Sequence, residues 1–359
     1  MRILNNNEIE QVLTLEDSME VLEVAYKEYT LGKAANRPRN FTAFPVEDRR
    51  HAGFRFRFKS QEGGNASSGV WALRITSDMV GVETLANGVK RRRLIPAAPG
   101  GTYVGLVTLY SLETLEPLAV MHDSYMQKLR VGATSALGIR ELSNPDARVA
   151  GLFGSGWQAE AHLNYLLMVR PRIEDVRVYS PTPAHRKAFA EHWCNKLGKR
   201  IVAVDHPRDA VKDCQIVTCA TATMDPCFDG SWLEPGTHVT AITSPDRTSL
   251  RRELDTTSFD RADVLIVTSK EQIEYDNQVD IMEPVKKGKK TWEQIGEIGD
   301  LLAGRFPGRS NRNQITVFAN NTGMGLQFAA VGARALALAE AKGLGREVPT
   351  EWFLEETTP

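Results

Sequence analysis

Val149-Ala150-Gly151-Leu152-Phe153-Gly154-Ser155-Gly156-Trp157-Gln158-Ala159 is the stretch that decides how this chain folds. Its first five residues are short, apolar and bounded by polar neighbours, the pattern of a strand buried on both faces of a parallel sheet. The last six read Gly-x-Gly-x-x-Ala and lead into the helical run Ala161 to Met168. Each small residue answers a physical need. Gly154 allows the tight turn, Gly156 lets the backbone approach a pyrophosphate, and Ala159 lets helix and strand pack closely. The helix N-terminus behind the loop offers unpaired amides and a favourable dipole to an anion. We expect a dinucleotide-binding loop here, with Ser155, Trp157 and Gln158 as its remaining members.

Working outward, short β-branched runs recur at Val176 to Tyr179, Ile201 to Val204, Ile216 to Cys219, Val239 to Ile242 and Val264 to Val267, most of them separated by helical patterns. That alternation predicts a doubly wound parallel sheet of Rossmann type. Upstream the pattern differs. Thr14 and Asp17 have capping-box spacing ahead of a helix that ends near Gly32. The stretch 33–69 is rich in Arg, Pro and Gly, and within it Phe54-Arg55-Phe56-Arg57-Phe58-Lys59 alternates aromatic and cationic residues, so a strand here has one apolar and one positive face. Further strands are expected at Val70 to Thr76, Gly105 to Tyr110 and Leu118 to Met121, the last two joined as a hairpin through Ser111 to Pro117. The expected fold class is α/β: a Rossmann-type domain over 126–319 and a smaller α+β domain over 1–125, completed by 320–359, where Gly323 to Lys342 forms an Ala-rich helix.

The end of the second parallel strand normally offers an acidic residue to the adenosine ribose of NAD. Here it reads Tyr179-Ser180-Pro181-Thr182-Pro183-Ala184-His185-Arg186. Hydroxyls from Ser180 and Thr182 with the guanidinium of Arg186 suit a 2′-phosphate, which Arg can grip with two donors. NADP is the expected cofactor, with NAD as the alternative.

Composition narrows the partners. At 359 residues and 42% hydrophobic content two domains fit, and a formal net charge of -1 gives no field to attract nucleic acid or an anionic membrane. The basic runs Lys90 to Arg93 and Lys286 to Lys290 lack interleaved aromatics and read as solvated loops. No apolar run reaches membrane-spanning length, and Met1 to Glu10 is too polar for a secretory signal, so a cytoplasmic location is expected. Four cysteines without a Cys-x-x-Cys pair, and seven histidines without a His-Glu-x-x-His cluster, predict neither a disulfide framework nor a metal site.

Just before the glycine loop, Leu129-Arg130-Val131-Gly132-Ala133-Thr134-Ser135-Ala136 resembles the signature segment of the ornithine cyclodeaminase and mu-crystallin family. Leu115 to Met121, Gly154 to Ala159, Trp232 to Val239, Arg252 to Asp255 and Ile315 to Phe318 resemble other family segments in the same order. The resemblance implies a homodimer and a hydride step at a carbon beside a carboxylate, on an α-amino acid or its imine. It places Arg130 on the substrate carboxylate, where a planar, permanently charged fork matches the shape of the anion. Arg74 falls where relatives often carry Lys and joins Arg130 in anchoring the carboxylate. Lys59 is then the candidate for proton transfer, with Arg57 on the same face and Asp246 as the alternative. Thr134, Thr221 and Val317 fall in cofactor-contacting segments, and His122 and Asp123 either orient Arg130 or cap its helix. Amino-acid dehydrogenation or imine reduction is the expected activity. The alternatives are a lyase converting ornithine to proline and ammonia, and a binder without turnover. The family's Asp-bearing turn is replaced by Thr243-Ser244-Pro245-Asp246, and a proline ahead of Asp246 displaces that carboxylate, which disfavours the lyase.

Overall fold

A computed structural model describes residues 1–45 and 53–357; the part of the 33–69 stretch between 46 and 52 lies outside them. The chain divides into two compact units, one built from Met1–Val80, Leu94–Arg130 and Gly323–Pro359, the other from Gly81–Arg93 and Val131–Thr322.

In chain order the first unit begins with β1 (Arg2–Leu4), α1 (Asn6–Val12), α2 (Leu15–Thr30), β2 (Ala34–Pro45) and β3 (Arg55–Asn65). β4 (Val70–Thr84), β5 (Lys90–Ile95), β6 (Val104–Ser111), β7 (Pro117–His122) and α3 (Ser124–Leu142) follow, with residues 81–93 of β4, β5 and their turn and residues 131–142 of α3 counted in the second unit. Thr14 caps α2, its hydroxyl accepting from the Asp17 amide at 3.0 Å. Asn5 and Glu8 form an equivalent box on α1.

The second unit holds β8 (Val149–Phe153), α4 (Trp157–Val169), β9 (Asp175–Tyr179), α5 (Pro183–Leu197), β10 (Arg200–Ala203), β11 (Ile216–Cys219) and β12 (His238–Ala241). α6 (Thr256–Asp260), β13 (Val264–Val267), α7 (Lys270–Asp276), α8 (Val279–Lys286), β14 (Ile295–Glu297), α9 (Ile298–Leu302) and β15 (Thr316–Ala319) complete it. The chain closes with α10 (Gly325–Ala341) and β16 (Arg346–Glu347), both in the first unit.

The first unit's sheet runs β16-β1-β7-β6-β4-β3-β2, with β5 on β4. Its two faces follow from strand alternation. Val107 and Leu109 of β6 and Ala119 and Met121 of β7 are fully buried on one face, the side against which α10 packs. The opposite face carries Phe44, Phe58, Val104 and Leu106, each more than a third exposed. Register holds them together: Phe58 pairs with Ser77, which pairs with Val104, while Phe44 pairs with Phe56.

The second sheet, β10-β9-β8-β11-β12-β15-β13-β14, is parallel throughout. From β8 the chain winds outward through β9 and β10, then returns to the other side of β8 as β11. The order reverses between β8 and β11, so a crevice opens at their carboxyl ends. The chain is thus α/β, a Rossmann-type doubly wound sheet plus a smaller α+β unit.

Three features depart from the sequence expectation. The basic run Lys90 to Arg93 is strand β5 and not a solvated loop, because its backbone pairs with β4 and with residues 222–224. For the same reason Gly81–Arg93 falls in the second unit, away from its neighbours in sequence. β15 comes last among the parallel strands yet sits between β12 and β13, an insertion that local patterning does not specify.

Candidate active site

In the first unit, alternation on β3 and β4 gathers cations on the inner face of the sheet. Arg57, Lys59 and Gln61 of β3 lie opposite Asp78, Thr76 and Arg74 of β4. Arg57 and Arg74 are buried, and each has a carboxylate: Arg57 Nη2 donates to Asp78 Oδ2 at 2.8 Å, while Arg74 Nε donates to Asp123 Oδ2 at 2.7 Å and its Nη1 to Gln61 Oε1 at 2.7 Å. Asp123 therefore orients Arg74 and not Arg130; His122 Nδ1 accepts the Ser124 amide at 3.1 Å at the start of α3.

Arg130, on α3 and also buried, is aimed by neutral oxygens. Its Nη2 donates to Gln127 Oε1 at 2.7 Å and its Nη1 to Gln327 Oε1 at 3.0 Å, and Gln327 donates in turn to the Tyr26 hydroxyl. The Arg74 and Arg130 guanidinium carbons stand 5.3 and 5.4 Å from the centroid of the same Phe328 ring. Two like charges this close and this buried disfavour their own charged forms. Burial and then Arg74 push Arg130 down to about 9. Lys59, half-buried, is pushed well below the ordinary lysine value by desolvation, Arg74 and Arg57 in that order. Burial raises the Asp78 carboxyl, but Arg57 and Lys59 outweigh it and leave that group below its usual range. The cluster as a whole favours an incoming anion, which would relieve both depressed cations at once.

The second unit holds a pocket of about 410 Å³ at the sheet's reversal point. Its walls come from the loop after β8 (Gly154, Ser155, Gly156), the loop after β9 (Tyr179 to Thr182) and the loop after β11 (Ala220 to Thr223). Gly154 has φ +118, and a Cβ there would stand 2.4 Å from the Ala220 carbonyl oxygen. Gly156 is the opposite case: a Cβ there would meet nothing within 4 Å, so its smallness answers to no protein neighbour. Open space over a glycine at the N-cap of α4 is what a pyrophosphate needs. Ser155 Oγ donates to Ser180 Oγ at 3.0 Å across the mouth, and Gln158 Oε1 is buried with no partner among the described residues. These residues fit a dinucleotide.

The other expected site residues are placed differently. Trp157 is exposed on the first turn of α4. Thr134 and Val317 are fully enclosed, in α3 and β15. Arg186 is buried, with Nη2 donating to Asp205 Oδ1 at 2.5 Å and Nη1 to the Ser180 carbonyl at 3.0 Å, and it does not line the pocket; its neighbour His185 does. Asp246 is buried in its own turn, where Oδ1 accepts the Thr248 amide at 2.8 Å and hydroxyl at 2.6 Å. Thr221 lines the pocket and is held from behind by Glu253, which sequence reasoning passed over as a site residue. Glu253 is fully buried, and its carboxylate accepts the Thr221 amide and hydroxyl at 2.6 and 2.7 Å and the Ile242 and Thr243 amides at 2.7 and 3.0 Å. Burial raises this carboxyl even against those donors.

The parallel sheet, glycine loop and crevice define a protein of the Rossmann class. A family model described as ornithine cyclodeaminase/mu-crystallin matches residues 78–334, and the chain belongs to that family. Delta(1)-pyrroline-2-carboxylate reductase of Bacillus cereus is 30% identical over 77% of this chain and 84% of its own. Among solved structures, Thermococcus litoralis Delta(1)-pyrroline-2-carboxylate reductase in complex with NADH and L-proline is similar at TM-score 0.81 and 28% identity, covering 97% of this chain and 100% of that one. An archaeal alanine dehydrogenase dimer with bound NAD is similar at TM-score 0.79 and 25% identity, covering 97% and 99%. These relatives are dehydrogenases and reductases of amino acids and imines.

Proposed function

We propose that the chain is an NAD(P)-dependent oxidoreductase that reduces a small α-imino acid, or oxidises the matching α-amino acid, with NADP as its preferred cofactor. The observation that carries this reading is the pair of buried guanidinium groups on one Phe328 ring, beside a lysine of lowered basicity. Arg130 takes the substrate carboxylate with its planar fork, and Arg74, fixed by Asp123 and Gln61, adds field without moving. Lys59 is the group that gives up a proton more readily than an ordinary lysine, because burial, Arg74 and Arg57 oppose its charge. A bound nicotinamide supplies or accepts the hydride. Asp246, turned onto Thr248, is engaged in its own loop, which argues against the lyase.

The test is spectrophotometric. With NADPH and a cyclic imino acid such as pyrroline-2-carboxylate, the protein should consume cofactor in proportion to imine. Ornithine with catalytic NAD should give no proline at an enzymatic rate. Proline and ammonia formed from ornithine without net cofactor change would overturn the reading in favour of the lyase.

We further propose that a second copy of the chain covers the apolar sheet face bearing Phe44, Phe58, Val104 and Leu106. Contiguous exposed apolar surface of this kind marks an association site, and a homodimer uses one patch twice about a two-fold axis. Leu106→Asp should convert the dimer to monomer in sedimentation velocity; a variant that still sediments as a dimer removes this face from the interface. The location that fits this chemistry is the cytoplasm, where the four unpaired cysteines stay reduced.

A further inference from the structure

The run Lys90 to Arg93 has no place in the function so far, yet it lies against the pocket. The hairpin of β4 and β5 is laced to two of the three loops that border the crevice, those after β9 and β11. On one side Asn87 Nδ2 donates to the Pro181 carbonyl at 3.0 Å. On the other, the Arg92 amide donates to the Ala222 carbonyl at 2.8 Å, the Met224 amide donates to the Lys90 carbonyl at 3.1 Å, and Arg91 forms a β-bridge with Thr223. Strand alternation then turns Val89 and Arg91 to the same side, and both line the pocket.

Arg91 Nε donates to Glu83 Oε2 at 2.7 Å, and Arg93 Nη1 donates to the other oxygen of Glu83 at 3.2 Å, so the arginine stem is anchored. Its Nη1 and Nη2 have no protein partner among the described residues. Glu83 is outside the pocket lining, which contains no aspartate or glutamate; its charged or titratable residues of basic type are Arg91 and His185. A wall without carboxylate is wrong for gripping a free ribose diol and right for a phosphate. The pyrophosphate belongs over Gly156, and the adenosine ribose lies toward the end of β9, the side to which Asn87 ties the hairpin.

We propose that Arg91 is the cation that holds the adenosine 2′-phosphate of NADP, taking the place that Arg186 cannot fill while locked onto Asp205. This rests on the NADP preference proposed above. The side chain is 40% exposed, so a ligand can reach it and its contribution should weaken as salt rises.

The probes are 2′,5′-ADP and 5′-ADP, titrated by calorimetry into wild type, Arg91→Ala, Arg91→Gln and Arg93→Ala. Arg91→Gln keeps a donor for Glu83 and guards against a disordered hairpin; Arg93→Ala removes a charge on the same strand that does not line the pocket. Wild type should prefer 2′,5′-ADP. Both Arg91 variants should weaken it ~10- to 100-fold, the loss of a charge-assisted bond, with 5′-ADP and Arg93→Ala changed by less than about threefold. Equal losses for both ligands, no loss, or an equal effect of Arg93→Ala would remove Arg91 from the phosphate site while leaving NADP preference standing. A wild type that binds 5′-ADP at least as tightly would instead overturn the NADP preference, and the Arg91 assignment with it.

Discussion

Arg130→Lys is expected to lose most of the catalytic activity in a chain that still folds. Lysine keeps the formal charge but not the fork: Gln127 and Gln327 aim two different edges of a planar guanidinium, and an ammonium satisfies neither geometry. The site also opposes any charge it holds. Burial and Arg74 bring even an arginine down to about 9, and the same environment would oppose the charge of an ammonium. A lost charge-assisted bond costs roughly 1.5–3 kcal/mol, which with two bonds to one carboxylate corresponds to kcat/KM falling ~100-fold or more. The fall should appear mainly in KM if the carboxylate is gripped equally throughout the reaction. Near-normal kinetics in folded Arg130→Lys would place the substrate elsewhere.

Gly156→Ala should separate cofactor binding from stability. Because a Cβ at 156 meets no protein atom within 4 Å, the ligand-free chain has nothing to rearrange beyond a small capping penalty. The methyl instead occupies the space a pyrophosphate must enter, and overlap in a close backbone approach costs about 2–3 kcal/mol, or ~30- to 160-fold in dinucleotide affinity. Gly154→Ala should behave the other way, with Tm falling first, since it forces a side chain to φ +118 and against the Ala220 carbonyl. Calorimetric unfolding and NAD(P)H titration of both variants check this. A Gly156→Ala chain that binds cofactor normally would mean that the crevice is not the pyrophosphate site.

What the sequence discloses depends on how locally each feature is encoded. The strand, glycine turn and helix of 149–168 are contiguous, so their fold and purpose could both be read. The alternating aromatics and cations of 54–59 likewise declared two faces, and the structure extends that strand to Asn65. Arg74 and Asp123 are 49 residues apart, and only the pairing of β4, β6 and β7 brings them together, so Asp123 could equally have been assigned to Arg130. Arg186 was legible as a cation beside the β9 loop. Its engagement by Asp205, beyond β10, was not. Lys90 to Arg93 shows the same limit from the other side: four basic residues in a row look solvated until a distant loop supplies their backbone partners. Glu253 lay inside a segment marked only by family resemblance, and its role was not legible, because a carboxylate whose partners are mostly backbone amides has no complementary residue type to search for.

That last carboxylate sets a rule for anyone reshaping this enzyme. Glu253 faces four donors and no acceptor, so glutamine, the usual polite substitute, would point hydrogens at hydrogens on at least one edge. Its two oxygens clasp strands that are neighbours in the sheet, one at Thr221 and one at Ile242 and Thr243. Displacing either loop stretches the grip on the other, which makes the pair inherit each other's errors. Libraries that diversify the turn from Ser244 to Ser249 therefore have a fixed point they should leave untouched, and it lies outside the turn itself.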